Sequence, residues 1–399
     1  MVLAFFEDKT LPNFHPLTLT RPADDLRIGI WTIKEKWSFE LNAYDHIRLT
    51  RPSIRRLYSR SIQHDETVTW VNSLILPEAG LVSMIKELPV NESIISNGRL
   101  IASKVDAGTS RTILQSVDIG NLRATPTHEY NLPDEYTLTH LWDLIALNGK
   151  EIQTDINRIA PKHIQEHQFN HVWVTNPHDA IFAEEGVQIE PGCSLIATEG
   201  PIYIGKNTIL EAGTVLRGPV AVCEGAVIKM GSRISGGTTV GPVCKIGGEV
   251  TASIFHSYSN KAHDGFVGHS LIGQWCNLGA GTTTSNLKND YGFVKFPDWE
   301  TGSIQQTNQQ FLGTVMGDHT KTAIQTKLNT GTRCGVSCNI VTSAFPPNYI
   351  PSFSWLTDRG IELYRLEKAI TVMKAMMARR NIDLTEEYAS MIQELYSDR

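Results

Sequence analysis

Residues 204–250, IGKNTILEAGTVLRGPVAVCEGAVIKMGSRISGGTTVGPVCKIGGEV, decide the architecture. An aliphatic residue recurs at every sixth position, at Ile204, Leu210, Leu216, Val222, Ile228, Ile234, Val240 and Ile246. Four residues after each stands a small or β-branched one: Thr208, Thr214, Val220, Ala226, Ser232, Thr238, Cys244 and Val250. A helix needs apolar spacings of three and four and a half-buried strand needs strict alternation, so a period of six fits neither. It fits a parallel β-helix. Three hexads make one roughly triangular coil, the aliphatic side chain points inward, and coils stack at the roughly 4.8 Å interstrand spacing.

The register resumes at Ile272 with Cys276 and Leu278 with Thr282, then at Met316, Thr322, Leu328, Cys334 and Ile340. Two segments break the period, Ala252 to Phe266 and Ser285 to Phe311, and both are rich in His, Asn, Lys and Tyr. They are predicted as loops ejected from the solenoid, where function concentrates. Cys244, Cys276 and Cys338 fall on the small inward position, which makes them packing residues. The six cysteines, Cys193, Cys223, Cys244, Cys276, Cys334 and Cys338, form no CxxC pair, so free thiols are expected.

The 399 residues suffice for two or three domains. With 41% hydrophobic and 20% charged residues, the chain is neither disordered nor fibrous. Against 42 Asp+Glu stand 36 Lys+Arg, a net charge of -6 without long like-sign blocks, which argues against a nucleic-acid partner. No apolar run approaches the roughly 18 residues that span a bilayer, and Val2 to Phe6 is closed by Glu7 and Asp8 with no basic flank. The reading is a cytoplasmic protein with no membrane partner.

Residues 1–150 show short β-rich runs (Val2 to Phe6, Val68 to Leu76, Ser93 to Ile101) between helical stretches, which predicts an α/β domain. Thr137 to Leu147 reads as a helix with Thr137 as N-cap and Asn148-Gly149 as stop, and 151–185 as a helical linker to a solenoid over 186–345. Pro346, Pro347 and Pro351 end the β pattern, leaving 346–399 as a helical tail. In it Leu363, Leu366, Ile370, Met373 and Met377 recur at helical spacing for packing, and Asp383 with Glu386 boxes the start of a last short helix.

The densest polar constellation is Ser259-Asn260-Lys261-Ala262-His263-Asp264-Gly265-Phe266-Val267-Gly268. His263 is its natural general base, because an imidazole of ordinary pKa about 6.5 can take the proton an amine loses while attacking a thioester. Next comes Asn277-Leu278-Gly279-Ala280-Gly281-Thr282-Thr283-Thr284-Ser285-Asn286. Its glycines admit a bulky ligand to the coil edge, and its asparagines supply amide donors and acceptors.

These two motifs, with Ile272-Gly273 between them, make roughly residues 200–345 resemble the acetyltransferase half of the bifunctional UDP-N-acetylglucosamine pyrophosphorylase/glucosamine-1-phosphate N-acetyltransferase family. The resemblance implies a left-handed parallel β-helix that trimerises, with acetyl-CoA and the amino sugar meeting at the subunit boundary. It assigns His263 as base and Asn277, with Lys261 and Asp264, to the sugar. Asn286, Gly279 and Ala280 go to acetyl-CoA. The chain departs from the family in three places: the glycine before the histidine is missing, Phe266 replaces a tyrosine, and Ser235 and about Ser253 stand where the family has phosphate-binding cations. Arg217, Lys229, Arg233, Lys245 and Lys288 are the substitutes at hand, with Arg217 and Lys288 the expected sugar-phosphate ligands. Each also reads as a solvated outer charge.

Carried backward, the resemblance makes the first domain a sugar-1-phosphate nucleotidyltransferase. Thr20-Arg21-Pro22-Ala23-Asp24-Asp25-Leu26 keeps that family's Thr-Arg and Asp-Leu, followed by Lys34 and Lys36. The glycine-rich phosphate loop is replaced by Pro16, Leu17, Thr18 and Leu19, and the metal-binding aspartate by Asn97 in Ser96-Asn97-Gly98-Arg99. Thr20, Arg21, Asp25, Lys36 and Asn97 are the implied nucleotide ligands, Mg²⁺ the implied ion, with no metal-ligating residue assigned. Arg21 reads equally as a structural ion pair with Asp24 or Asp25. The whole arrangement is similar to a divergent, Bacteroidetes-type branch of sugar nucleotidyltransferases.

Three functions follow: a transferase of sugar-nucleotide biosynthesis acting at both sites, a nucleotidyltransferase with a trimerising solenoid, or a non-catalytic sugar-nucleotide-binding scaffold. All three imply sugar-phosphate and nucleotide ligands. All three also imply a homotrimer, since a prism of three flat faces buries one against its neighbours.

Overall fold

A computed structural model describes residues 2–58, 67–116, 122–123, 126–159, 172–175 and 180–399. The amino-terminal domain is built on a six-stranded sheet of order β2-β1-β3-β5-β4-β6, with β1 Val2–Phe6, β2 His46–Leu49, β3 Val68–Asn72, β4 Glu92–Ser96, β5 Arg99–Val105 and β6 Thr127–Glu129. Strand β1 runs parallel to β2 and β3. Its side chains alternate between two cores, as a pleated strand requires. Leu3 and Phe5 pack with helices α1 (Ile33–Leu41) and α3 (Ala79–Glu87), while Ala4 and Phe6 pack with α4 (Ala107–Ser116). The β-rich run Ser93 to Ile101 spans two strands, β4 and β5. Asn97 and Gly98, both at positive φ, make the tight turn between them.

Beyond this domain the chain winds about ten turns of parallel β-solenoid with three faces of six, nine and ten strands, and ends in a helical tail. All eight aliphatic hexad positions from Ile204 to Ile246 are buried in its interior, with Cys193, Cys244, Cys276, Cys334 and Cys338, while Cys223 is buried against Ile30 of the first domain; all six cysteines are free. Desolvation pushes the Cys276 thiol up to about 12, so it packs as an inert apolar group.

Three features differ from the sequence reading. Helix α5 spans Leu141–Ile159 and runs straight through Asn148-Gly149. Its start is held by Asp143, whose carboxylate accepts from the backbone of Thr139 and His140, and Thr137 instead closes a short 3-10 turn. Gly149 serves close approach, since a Cβ there would lie 3.1 Å from Pro219, and Asn148 accepts from Gly29 N (2.7 Å) while donating to Gly237 O (2.7 Å). Of the expected helical linker beyond Ile159, residues 160–171 and 176–179 lie outside the described residues, while Trp173–Thr175 and Ile181–Ala183 are strands paired with Ser194–Ile196 and Ile202–Ile204, so the solenoid starts before residue 186.

Second, Ala252 to Phe266 is not ejected. The coil continues through Ile254–Phe255, Asn260–Lys261 and Phe266–Gly268. What breaks the period is coil length: Val215 pairs with Arg233, eighteen residues on, but Lys245 pairs with Asn260 after only fifteen. Ser285 to Phe311 does leave the coil, so Leu271 pairs next with Val315. It carries an antiparallel hairpin, Lys295–Pro297 with Ile304–Gln306.

Third, strands continue beyond the prolines, at Tyr349–Ile350, Ser354–Thr357 and Gly360–Leu363. Pro351 lies between strands, where its missing N–H interrupts no ladder. Helix α6 (Leu366–Ala378) then excludes Leu363. Helix α7 (Glu386–Ser397) is capped by Thr385, which accepts from Tyr388 N, and not by Asp383. Met373, Met391 and Ile392 of this tail pack with Ile54 of α2 (Pro52–Tyr58) and with Val336 and Phe353.

The amino-terminal domain docks along the second face. One outward column runs Phe182, Tyr203, Ala221, Thr239, Ile254, Leu271, Val315, Arg333 and Tyr349, each paired with the next. Ile254, Leu271 and Val315 join the core of the α/β domain, and Tyr203 and Ala221 pack with Ile152 and Ile156 of α5. Buried Arg333 donates to His15 O (2.9 Å) and Pro297 O (2.6 Å) and lies over the Phe296 and Trp299 rings. No helix among the described residues is long and apolar enough to cross a membrane.

Candidate active site

The residues expected to hold a nucleotide are held by the fold. Thr20 Oγ1 donates to Asp318 Oδ2 at 2.6 Å and Arg21 ion-pairs with the same carboxylate, which hangs from a solenoid corner. Arg21 is therefore paired, but with neither Asp24 nor Asp25. Those two carboxylates take Arg48, and Asp25 also takes Lys34 at 2.8 Å. Lys36 is wholly buried between Asp155 and Glu151 of α5. Asn97 sits at the β4–β5 turn, its N–H on Glu129. The Asn97 position offers no carboxylate, and the described residues contain no group of three or more His, Cys, Asp or Glu that could ligate a metal.

In the solenoid, His263 lies exposed at the corner between the third and first faces, its imidazole without a hydrogen bond among the described residues. That corner stacks directly on the next turn's, Gly281 N donating to Asp264 O at 2.8 Å. Gly279, Ala280 and Gly281 therefore lie beside His263 and Asp264. Gly279 is also required by coil stacking, since a Cβ there would fall 2.5 Å from the Ala323 backbone. At the other end of the first face, bare Gly268 leaves room for the Phe266 ring and the Asn286 amide, each 2.6 Å from where its Cβ would be. Asn286 Nδ2 is hydrogen-bonded to His269 Nδ1 at 2.8 Å, and His269 stacks on Phe311 at 5.0 Å. The sequence reading missed His269, whose pKa is lowered by burial. Its one signal was its place between two expected site segments.

Lys261 turns inward. Its ammonium donates to Gly247 O and His263 O, both at 2.8 Å, so it braces the histidine's corner; burial pushes its pKa down to about 8 against the pull of Asp264. Among the phosphate cations, Arg217 is paired with Glu199, Lys229 with Glu211, Arg233 with Glu249 and Lys288 with Asp290. Lys245 alone of the five has no carboxylate partner among the described residues. It opens into a cavity of about 450 Å³ between the third face and α6, together with Asn260, Asn277, Lys321, Arg379 and Arg380. Asn277 belongs to this cavity and His263 does not line it.

Residues 3–164 match the family model described as sugar nucleotidyl transferase. Among curated proteins the chain is similar to the bifunctional protein GlmU of Methanocaldococcus jannaschii, at 34% identity over 29% of this chain and 28% of that protein. It is likewise similar to GlmU of Methanococcus aeolicus, at 28% identity over 49% of this chain and 40% of the relative, and of Methanococcus maripaludis, at 26% over 55% and 45%. The matched stretches thus span less than half of these relatives. Among solved structures, AntD, an N-acyltransferase from Bacillus cereus in complex with dTDP and 3-hydroxybutyryl-CoA, aligns over 55% of this chain and 99% of its own at 9% identity and a TM-score of 0.22. By family model and relatives, residues 3–164 are similar to a sugar nucleotidyl transferase domain and the chain resembles parts of GlmU.

Proposed function

We propose that the solenoid transfers an acetyl group from acetyl-CoA to the amine of a hexosamine 1-phosphate, within sugar-nucleotide biosynthesis. The observation that carries this reading is an exposed His263, without a hydrogen bond among the described residues, on a corner stacked against Gly279, Ala280 and Gly281, with Asn286 at the far end of the same face. His263 takes a proton from the amine as its nitrogen attacks the thioester carbonyl, and collapse of the tetrahedral adduct breaks the C–S bond and releases CoA. The Ala280 N–H, without a partner among the described residues, serves the developing oxyanion, and Asn286 orients the thioester. Because the second face carries the chain's own amino-terminal domain, the His263 edge is left open for a neighbouring copy in a homotrimer.

The test is release of free CoA from acetyl-CoA and glucosamine 1-phosphate. His263→Ala should lose about 10²–10⁴-fold in kcat with an unchanged melting temperature. Wild-type turnover in that variant would overturn the assignment. The second reading, nucleotidyl transfer in the first domain, is favoured by the match over residues 3–164 and is measured by pyrophosphate release from UTP with a sugar 1-phosphate.

A further inference from the structure

We propose that the cavity between the solenoid's third face and α6 binds a phosphorylated, ring-bearing small molecule, its phosphate held by Lys245, Lys321, Arg379 and Arg380. The inference is independent of His263, which does not line this cavity.

Charge carries the argument. Acidic residues outnumber basic ones in this chain, yet the cavity lining contains four cations and no carboxylate. None of the four has an ion-pair partner among the described residues, whereas Arg217, Lys229, Arg233 and Lys288 nearby each have one. Lys321 makes one hydrogen bond, to His319 O at 2.7 Å, which leaves two donors. Arg380 Nε is buried with no hydrogen-bond partner among the described residues. The pKa of Lys245 is lowered by burial and then by Arg380, Lys229 and Arg379, so the cations repel one another when the cavity holds no anion. A phosphate between them removes that repulsion and supplies the missing acceptors.

The remaining walls specify more than an anion. Lys245, Asn260, Asn277 and Lys321 occupy successive rungs of one outward column, so two amides lie between the two ammonium groups. Asn260 Nδ2 donates to Asn277 Oδ1 at 2.8 Å, which leaves the Asn260 carbonyl as acceptor and the Asn277 amide as donor for hydroxyl or base-edge groups. Beside them Tyr258 and Trp275 stack at 4.2 Å and 5°, and Val372 and Met376 of α6 complete an apolar wall. The volume lies in the range of small-molecule sites. A sugar phosphate and a nucleotide share this chemistry.

The test is isothermal titration of the full chain with glucosamine 1-phosphate, UMP and inorganic phosphate. At least one of the two esters should bind tenfold or more tightly than inorganic phosphate, and the tighter ester identifies the source. The Arg379→Ala/Arg380→Ala variant, altered at a helix end, should weaken that binding at least tenfold. Arg233→Ala, an ion-paired cation outside the cavity, should leave it unchanged. Esters that bind no better than inorganic phosphate, or binding insensitive to the double variant, would overturn the proposal.

Discussion

Asp318 is the keystone between the two domains, and Asp318→Asn isolates its charge. The carboxylate accepts from Thr20 Oγ1 (2.6 Å) and Gln274 N (2.7 Å) and neutralises Arg21 through its Nη2, the buried Nε and Nη1 having no hydrogen-bond partner among the described residues. Both members of the pair are buried. The asparagine keeps the volume and one acceptor, so the loss is that of a counter-charge to a desolvated guanidinium. Removing one partner of a buried pair costs about 3–5 kcal/mol, and we expect the lower end because an acceptor remains. Three kcal/mol is roughly a 150-fold change in an opening equilibrium, so amide exchange over residues 10–22 should accelerate by about two orders of magnitude, read by hydrogen-exchange mass spectrometry. Arg21→Met with Asp318→Leu should recover most of the loss, because apolar replacement of a buried pair is often neutral. Exchange over 10–22 that changes less than about fivefold in Asp318→Asn would show that this contact does not hold the interface, and the reasoning would fail.

Two further predictions concern pH. Burial, with Arg51 and Arg333, holds His15 neutral down to about 3, and burial with Lys34 and Arg48 holds His46 down to about 4. The unfolded chain protonates both below about 6.5, so stability is lost as pH falls from about 6.5 towards 4, on the order of 2 kcal/mol for His15 by pH 4.5; urea midpoints should fall over that range and His15→Gln should flatten the decline. Lys261 works in the alkaline range: depressed to about 8 by burial when folded, it gains a proton on unfolding between about 8 and 10.5. Wild type should therefore gain stability, on the order of 2–3 kcal/mol, as pH rises across that window, and Lys261→Met should gain less.

The solenoid was legible because one physical constraint, an interior too narrow for anything but one aliphatic and one small side chain per face, repeats in every coil and leaves an unbroken period from Ile204 to Ile246. Where corners shorten, as between Lys245 and Asn260, the interior rule still holds but the count slips, and continuous coil reads as loop. That His263 falls in a polar, exposed corner was legible from its neighbours; that Lys261 braces that corner was not, since an inward lysine at an aliphatic register has no sequence signature. Docking was illegible for a similar reason. Tyr203, Ile254, Leu271 and Val315 point outward yet are buried, and their burial depends on partner surfaces distant in the chain, on α5 and in the core of the amino-terminal domain. Arg379 and Arg380 read as ordinary cations at a helix end until the fold sets them opposite Lys245 and Lys321.

The docking also constrains where nucleotide chemistry can occur. A phosphate cradle needs consecutive free amides, but between Asp8 and Pro22 the chain has prolines at 12, 16 and 22, buries Leu11, Phe14 and Leu17 in the core, and gives the His15 carbonyl to Arg333. Freeing this segment would undock the second face. At about 1.5–3 kcal/mol for each fully buried aliphatic side chain, re-exposing Ile254, Leu271 and Val315 alone costs about 5–9 kcal/mol. A ligand of micromolar affinity supplies about 8 kcal/mol in total, so nucleotide binding to an undocked segment would be largely cancelled by the opening itself. Nucleotide bound by this domain must instead meet the carboxyl ends of β1 and β3, where Asp8 takes Asn72 (2.8 Å) and Arg99 (2.7 Å). The segment at the position of the family's phosphate loop is thus an interdomain contact, and four cations without ion-pair partners among the described residues line the solenoid cavity instead.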